Sequence, residues 1–162
     1  MQKIKVDWVK TSLIAALYTT LTIVVAPLSY GPIQFRISEV MNILPFLPQF
    51  GVNAVIGLII GCLLSNLLSP YGIVDVILGT LATAVAVVGV YAVRRAMGKK
   101  GLLPALLIPT LANTIIVGWM LNFFYQIPPL EAYGGVLVGE AVMATLGGYL
   151  LYRALVKIGY EE

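Results

Sequence analysis

Long runs of apolar residues, separated by short stretches rich in charge, proline or glycine, make up most of the chain. A helix that crosses a bilayer needs about 20 mostly apolar residues. The pattern predicts five segments of about that length and a shorter one. The predicted segments are residues 8–28, 37–50, 52–68, 73–93, 102–124 and 134–156. Segment 37–50 contains Pro45 and Pro48, which favour a short or broken helix buried among its neighbours. Residues 1–162 are therefore predicted to form one all-α domain, a bundle of six transmembrane helices.

Composition indicates whether the outside of this bundle faces water or lipid. Apolar residues make up 60% of the chain and charged residues 10%, whereas soluble domains carry about 25% charged residues. A chain of 17.4 kDa is too small to bury so much apolar surface in water, so the surface is expected to face lipid.

Missing residue types exclude several chemistries. Because the chain contains no histidine, it has no imidazole for a Ser-His nucleophile, a haem ligand or a typical zinc site. It also lacks the glycine-rich loop and lysine that bind ATP phosphates. We therefore expect a protein that is not an enzyme, needs no cofactor or metal, and takes any ATP energy from partners.

The basic residues predict an orientation. They are clustered before the first segment, after the fourth and at the end of the sixth, and only Arg36 falls on the opposite side. The clustered residues are Lys3, Lys5, Lys10, Arg94, Arg95, Lys99, Lys100, Arg153 and Lys157. By the positive-inside rule, both termini are expected to be cytoplasmic. The net charge of +3 is explained by this orientation and by attraction of the basic residues to anionic lipid headgroups. It gives no reason to expect a nucleic-acid partner.

The acidic residues at membrane depth map to the extracellular half. Glu39 and Glu140 are candidates for function, since a carboxylate within a membrane is costly unless it is paired or lines a wet cavity. Asp75, at the start of the fourth segment, is more simply interpreted as a helix cap. Amides and aromatic residues approach the same surface, which predicts an outward-facing cavity for a small, flat, polar ligand. The candidate binding residues are Arg36, Glu39, Asn42, Asn113, Trp119, Asn122 and Glu140.

Three of these interpretations stay open. Arg36 lies three residues before Glu39 and either lines the cavity or only pairs with that acid. Trp119 is either a stacking wall for a ligand or an anchor at the membrane interface. The first helix carries a face of small residues that serves either internal packing or a partner protein. These residues are Ser12, Ala15, Ala16, Thr19 and Thr20.

Three stretches carry a family likeness. They are residues 30–46 (YGPIQFRISEVMNILPF), 57–66 (GLIIGCLLSN) and 75–83 (DVILGTLAT). With them, nearly the whole chain resembles the QueT family of queuosine-precursor transporters. The RISE stretch with its following LPF is the most specific part of the likeness.

The resemblance implies an S-component of an energy-coupling factor (ECF) transporter in a prokaryotic plasma membrane. Such a subunit binds its ligand near the extracellular surface, covers it with the loop between the first two helices, and works with a scaffold membrane protein and two cytoplasmic ATPases. The implied ligand is 7-aminomethyl-7-deazaguanine or a close relative. An Ala-x-x-x-Ala face on the first helix often meets the scaffold. Here Thr19 and Thr20 occupy the second small position, which departs from that pattern.

Two other functions remain open from the residues. One is an S-component for another flat vitamin, such as riboflavin, thiamine or biotin. The other is a membrane scaffold subunit that binds no small ligand. In that case the two buried acids would need internal partners, and Arg36 is the only nearby cation.

Overall fold

A computed structural model describes residues 5–31 and 33–160, which are folded almost entirely into helices. Lys3, one of the predicted orienting cations, lies outside the described residues. The α-helices are α1 (Trp8–Val24), α2 (Ala26–Ser29), α3 (Gly51–Asn66), α4 (Gly72–Met97), α5 (Leu102–Tyr125), α6 (Pro129–Glu140) and α7 (Gly148–Lys157). A 3₁₀ helix, Ile37–Phe46, lies between α2 and α3, and a π-helix, Ala141–Gly147, joins α6 to α7. The all-α prediction is confirmed.

The observed helices differ from the predicted segments mainly at their ends. The first segment breaks after Val24, and α2 begins with Pro27 in its first turn, where proline is tolerated. The sixth segment begins earlier than predicted, at Pro129. The short second segment is a 3₁₀ helix that ends at Phe46, directly after Pro45.

Helices α1 and α3 run parallel and approach closely through glycine. A side chain added at Gly57 would meet the Thr11 carbonyl oxygen at 2.7 Å, and one at Gly61 would meet the Ala15 carbonyl oxygen at 2.8 Å. Thr19 Oγ1 donates to the Gly61 carbonyl oxygen at 3.1 Å. The small residues therefore permit direct backbone contact between the two helices.

The remaining helices alternate in direction. Ala82 of α4 packs with Val117 of α5, and the two helices are joined by the tight Gly98–Gly101 turn. Thr110 of α5 donates to the Glu140 carbonyl oxygen at 3.3 Å, so α6 and the following π-helix return beside α5. This alternation brings the start of α1, the end of α4 and the end of α7 to one end of the bundle, and we call it the basic end.

Two helical stretches have the length and apolar character of membrane spans: Gly72–Tyr125, which contains α4 and α5, and Pro129–Lys157. The apolar helices Trp8–Val24, Ile37–Phe46 and Gly51–Asn66 are shorter. Large apolar side chains, including Leu13, Ile115 and Leu150, are exposed on the outside of the bundle. Exposed apolar surface on several helices is characteristic of a membrane protein.

Candidate functional site

The 3₁₀ helix Ile37–Phe46 places two polar residues in the centre of the bundle. Side chains three residues apart lie directly above one another in a 3₁₀ helix, so Glu39 and Asn42 share one face. Glu39 is 2% exposed and Asn42 is fully buried. The Asn42 Nδ2 group donates to Glu39 Oε2. The two side chains are therefore paired on one face of the 3₁₀ helix.

Hydrogen-bond donors from three elements surround the Glu39 carboxylate. Besides Asn42, the Tyr18 hydroxyl of α1 donates to Oε1, and Asn113 Nδ2 of α5 donates to Oε2 at 3.2 Å. Arg36 Nη1 lies 3.9 Å from Oε1, at the outer limit of an ion pair. These contacts compensate for the cost of burying a carboxylate at membrane depth.

Glu140 brings a second carboxylate to the same place. It is 5% exposed and ends α6, at the start of the π-helix. Its side chain hydrogen bonds Asn113 and lies close enough to Glu39 for a direct electrostatic interaction. Asn113 therefore links the two acids. We call Arg36, Glu39, Asn42, Asn113 and Glu140 the carboxylate cluster.

Three members of the carboxylate cluster retain hydrogen-bonding capacity. Arg36 Nε, Asn42 Oδ1 and Glu140 Oε2 are buried without a partner among the described residues. Buried polar atoms are nearly always hydrogen bonded, so several unsatisfied atoms at one place require an explanation. Together they offer one donor and two acceptors to a polar molecule.

Tyr30 and residues 33–36 pack over the carboxylate cluster. The Tyr30 hydroxyl donates to the Ser65 carbonyl oxygen at 2.7 Å, and the Arg36 guanidinium lies 5.3 Å from the centre of the Tyr30 ring. Gly139 of α6 lies against the backbone of Ile33 and Gln34 so closely that an added side-chain carbon would overlap their carbonyl oxygens. These contacts hold the chain that follows α2 against α6, next to Glu140.

Trp119 and Asn122 do not join the carboxylate cluster. Trp119 is 42% exposed, stacks on Phe123 at 5.3 Å between ring centres, and lines an apolar surface groove between α4, α5 and α6. Asn122 Nδ2 donates to the Ile127 carbonyl oxygen at 2.9 Å and so stabilises the connection from α5 to α6. The placement of Trp119 favours the membrane-anchor interpretation over the stacking wall.

Two polar residues near the cluster have roles that the sequence did not indicate. Tyr18 is fully buried, and because it lies within an apolar run, nothing in the sequence marks its hydroxyl. Asp75 is not a helix cap, because α4 begins at Gly72 and Tyr71 occupies the N-cap position. Its buried carboxylate instead lies near Arg36 and Tyr30, and Oδ2 has no partner among the described residues.

The small residues of α1 divide into two faces. Ala15 is buried and Thr19 is partly buried against α3, so this pair serves internal packing. Ser12, Ala16 and Thr20 are exposed. Trp8, Val9 and Leu13 border Ser12 and Ala16 in a shallow apolar groove. Internal packing therefore accounts for Ala15 and Thr19, and the partner-protein interpretation stays open for Ser12, Ala16 and Thr20.

Within residues 5–31 and 33–160, no group of three or more histidine, cysteine or acidic side chains is arranged to hold a metal ion. The carboxylate cluster combines two acids with amides and a guanidinium. That combination suits a polar organic molecule that presents both N–H groups and an acceptor.

Comparison with known proteins assigns the chain to a family. Residues 8–157 match the family model described as QueT transporter. Over 81 residues the chain is 46% identical to a protein of Lactococcus lactis subsp. cremoris (strain MG1363) named "Queuosine precursor transporter QueT". That match covers 49% of this chain and 46% of the relative, so it spans about half the length of the curated protein. No solved structure matches the chain. Because the family model covers nearly the whole sequence, the chain belongs to the QueT transporter family.

Proposed function

We propose that this protein binds a queuosine precursor, 7-aminomethyl-7-deazaguanine or a close relative, at the carboxylate cluster. The observation that carries the proposal is the convergence of Glu39, Asn113 and Glu140 with unsatisfied polar atoms beneath a closed loop. The relative in L. lactis is named as a transporter of such a precursor.

The chemistry of the ligand matches the cluster. A guanine-like ring offers two parallel N–H groups, from N1 and the exocyclic amine, and a carboxylate accepts such a pair with strong, directional bonds. The aminomethyl group is cationic at neutral pH and would neutralise the second carboxylate. Either acid suits either role. The ring carbonyl oxygen would accept from Asn113 or from the Arg36 guanidinium, both of which donate in this cluster.

Entry of a cationic ligand would also change the partners of Arg36. In the structure this side chain is the nearest cation to Glu39 and approaches it only at 3.9 Å. A ligand amine that contacts the acid more closely would release Arg36 toward Tyr30 and Asp75. Without ligand, Arg36 would be the counter-ion of Glu39, and the ligand amine would replace it.

We further propose that the protein is the substrate-binding S-component of an ECF-type importer in the cell membrane. It would cross the membrane six times with both termini inside, and it would take ATP energy from a scaffold protein and two ATPase subunits. The exposed face of Ser12, Ala16 and Thr20 on α1 supports this assignment, because small side chains allow a partner helix to approach closely.

Isothermal titration calorimetry of the purified chain with 7-aminomethyl-7-deazaguanine tests ligand binding. Each of Glu39→Gln and Glu140→Gln removes an acceptor of charge-assisted hydrogen bonds and should weaken binding by about tenfold to a hundredfold. Glu131→Gln is the control, because Glu131 is exposed in the first turn of α6. Unchanged binding in both cluster variants would refute the site. Tight binding of riboflavin or thiamine instead would reassign the substrate.

Uptake by cells tests the transport assignment. Ala16→Trp places a bulky side chain on the exposed α1 face and should abolish uptake while ligand binding by the purified chain persists. Ala92→Trp, at an exposed position of α4, is the matched control and should transport normally. Deletion of the ATPase subunits should have the same effect as Ala16→Trp. Uptake into liposomes by the isolated chain would contradict an S-component.

A further inference from the structure

A cavity lined by three basic side chains lies at the basic end of the bundle, far from the carboxylate cluster. It measures about 440 Å³ and lies between the end of the 3₁₀ helix, the start of α3 and the end of α4. Helix α4 runs between the two places, since Asp75 lies near Arg36 and Arg94 lines this cavity. At a rise of about 1.5 Å for each residue, Asp75 and Arg94 are about 28 Å apart along the helix. The residues that line the cavity are Lys5, Pro45, Pro48, Phe50, Gly51, Val52, Asn53, Tyr91, Arg94 and Arg95.

The cavity wall carries positive charge, and among the described residues no acid lines it. Lys5, Arg94 and Arg95 all line it, and no carboxylate of the described part of the chain pairs with any of the three. The Arg94 guanidinium lies 5.0 Å from the centre of the Phe46 ring, and its Nη1 atom is buried without a hydrogen-bond partner among the described residues. The Arg94 guanidinium is therefore positioned to bind an anion.

The start of α3 adds a second source of positive potential. Gly51, Val52 and Asn53 form its first turn and line the same cavity. Phe50 occupies the N-cap position and supplies no side-chain hydrogen bond to this turn. The first backbone N–H groups of a helix lack partners within the helix and favour an anion, as does the helix dipole. The Gly51 N–H already donates to the Leu47 carbonyl oxygen at 3.0 Å, so the N–H groups of Val52 and Asn53 are those that would face an anion.

We propose that this cavity is a binding site for a phosphate group, held by Arg94, Arg95 and Lys5 against the first turn of α3. The chemistry is that of a phosphate monoester or diester, supplied either by an anionic lipid headgroup or by a soluble phosphate. Arginine side chains bind such groups through paired N–H donors, and a basic pocket between helices near a membrane surface suits a headgroup. This site is separate from precursor binding.

Thermal unfolding of the purified full chain in a neutral detergent tests the site with inorganic phosphate as the probe and chloride at equal ionic strength as the reference. Phosphate should raise the unfolding temperature of the unmodified chain. Arg94→Gln and Arg95→Gln should each require about tenfold more phosphate for the same shift, because each loses one charge-assisted contact.

Arg153→Gln is a closely matched control for Arg95→Gln. Each arginine donates to a tyrosine hydroxyl four residues earlier, Arg95 to Tyr91 at 3.3 Å and Arg153 to Tyr149 at 2.9 Å, and each guanidinium lies over that ring. Only the first pair lines the cavity. Arg153→Gln should therefore respond to phosphate as the unmodified chain does. Because Arg94 also packs on Phe46, Arg95→Gln decides the matter if Arg94→Gln does not fold.

Nanodiscs distinguish the two sources of phosphate. The chain is compared in phosphatidylcholine alone and in phosphatidylcholine with phosphatidylglycerol, and retained lipid is identified by native mass spectrometry. Stabilisation and retention by phosphatidylglycerol alone assign the site to a headgroup, whereas stabilisation by inorganic phosphate alone assigns it to a soluble ligand. Failure of both probes overturns the proposal, as does an equal loss in Arg95→Gln and Arg153→Gln.

Discussion

Glu39 is a buried carboxylate whose desolvation is offset by hydrogen-bond donors. A carboxylate at membrane depth costs several kcal/mol unless its oxygens are satisfied. Here Tyr18, Asn42 and Asn113 all donate to it. These donors come from α1, the 3₁₀ helix and α5, so the acid also ties together three elements distant in sequence. Each donor should therefore contribute to stability as well as to ligand binding.

Replacing Tyr18 by Phe isolates the hydroxyl that donates to Glu39. The ring is fully buried and keeps its packing, so the change leaves one carboxylate oxygen short of a donor. We expect a loss of about 1–3 kcal/mol in the free energy of unfolding, together with weaker precursor binding. Thermal unfolding and calorimetry in the same detergent measure the two effects.

Tyr149→Phe is the control for that change. The Tyr149 hydroxyl accepts from Arg153 in a contact that is exposed, so its loss should affect neither stability nor binding measurably. A Tyr18→Phe variant that is as stable as Tyr149→Phe would show that the hydroxyl is not needed to satisfy Glu39.

Two uncommon helix types position the acids. A 3₁₀ helix of ten residues is long for its kind, and it aligns Glu39 with Asn42. The π-helix that begins directly after Glu140 widens the backbone at the second acid. Hydrophobic patterning detects apolar segments but does not distinguish α, 3₁₀ and π geometry. The sequence therefore predicts the apolar segments and identifies the two acids as candidates. How the 3₁₀ helix and the π-helix position these acids is visible only in the structure.

Glycine at the α1–α3 contact gives a direct test of element packing. Gly61→Ala would place a methyl group 2.8 Å from the Ala15 carbonyl oxygen, so the two helices must separate. We expect a loss of about 1–3 kcal/mol in the free energy of unfolding. Gly134→Ala is the control, because an added side-chain carbon there meets nothing within 4 Å, and alanine favours the helix. Equal stability of the two variants would contradict the close contact.

The loop over the carboxylate cluster depends on a different glycine. Gly139→Ala would push a methyl group into the carbonyl oxygens of Ile33 and Gln34, which displaces the covering segment. Because a closed loop holds a ligand in place, the variant should release bound precursor faster. Stopped-flow displacement measures the dissociation rate, with Gly134→Ala, five residues away on α6, as the reference. An unchanged rate would mean that the loop does not control release.

The sequence predicts the approximate positions of the helices and proposes all five residues of the carboxylate cluster, but two further candidates, Trp119 and Asn122, lie outside it. Glu39, Asn42, Asn113 and Glu140 were recognisable because polar residues are rare in apolar segments. For Trp119 the sequence leaves two interpretations open, because a tryptophan near a helix end faces lipid as readily as a cavity. The sequence does not single out Tyr18, because its apolar ring fits an apolar run. The direction of a side chain depends on neighbouring helices, which a single sequence does not specify.

Charge is divided between the two ends of the whole molecule. All described lysine and arginine residues except Arg36 lie toward the basic end, where Phe50 stacks on Tyr160 and Lys10 donates to the Gln49 carbonyl oxygen. The carboxylate cluster lies toward the other end. Positive residues are retained on the cytoplasmic side during membrane insertion, so this division predicts that the cluster opens outward.

Labelling with a membrane-impermeant maleimide in intact cells tests that orientation. The native Cys62 is fully buried and should not react. Glu131→Cys, at the end that carries the covering loop, should be labelled in intact cells. Lys100→Cys, at the basic end, should be labelled only after the membrane is permeabilised, and both positions are exposed in the structure. The reverse pattern would place the carboxylate cluster on the cytoplasmic side, where it could not capture a precursor from outside the cell.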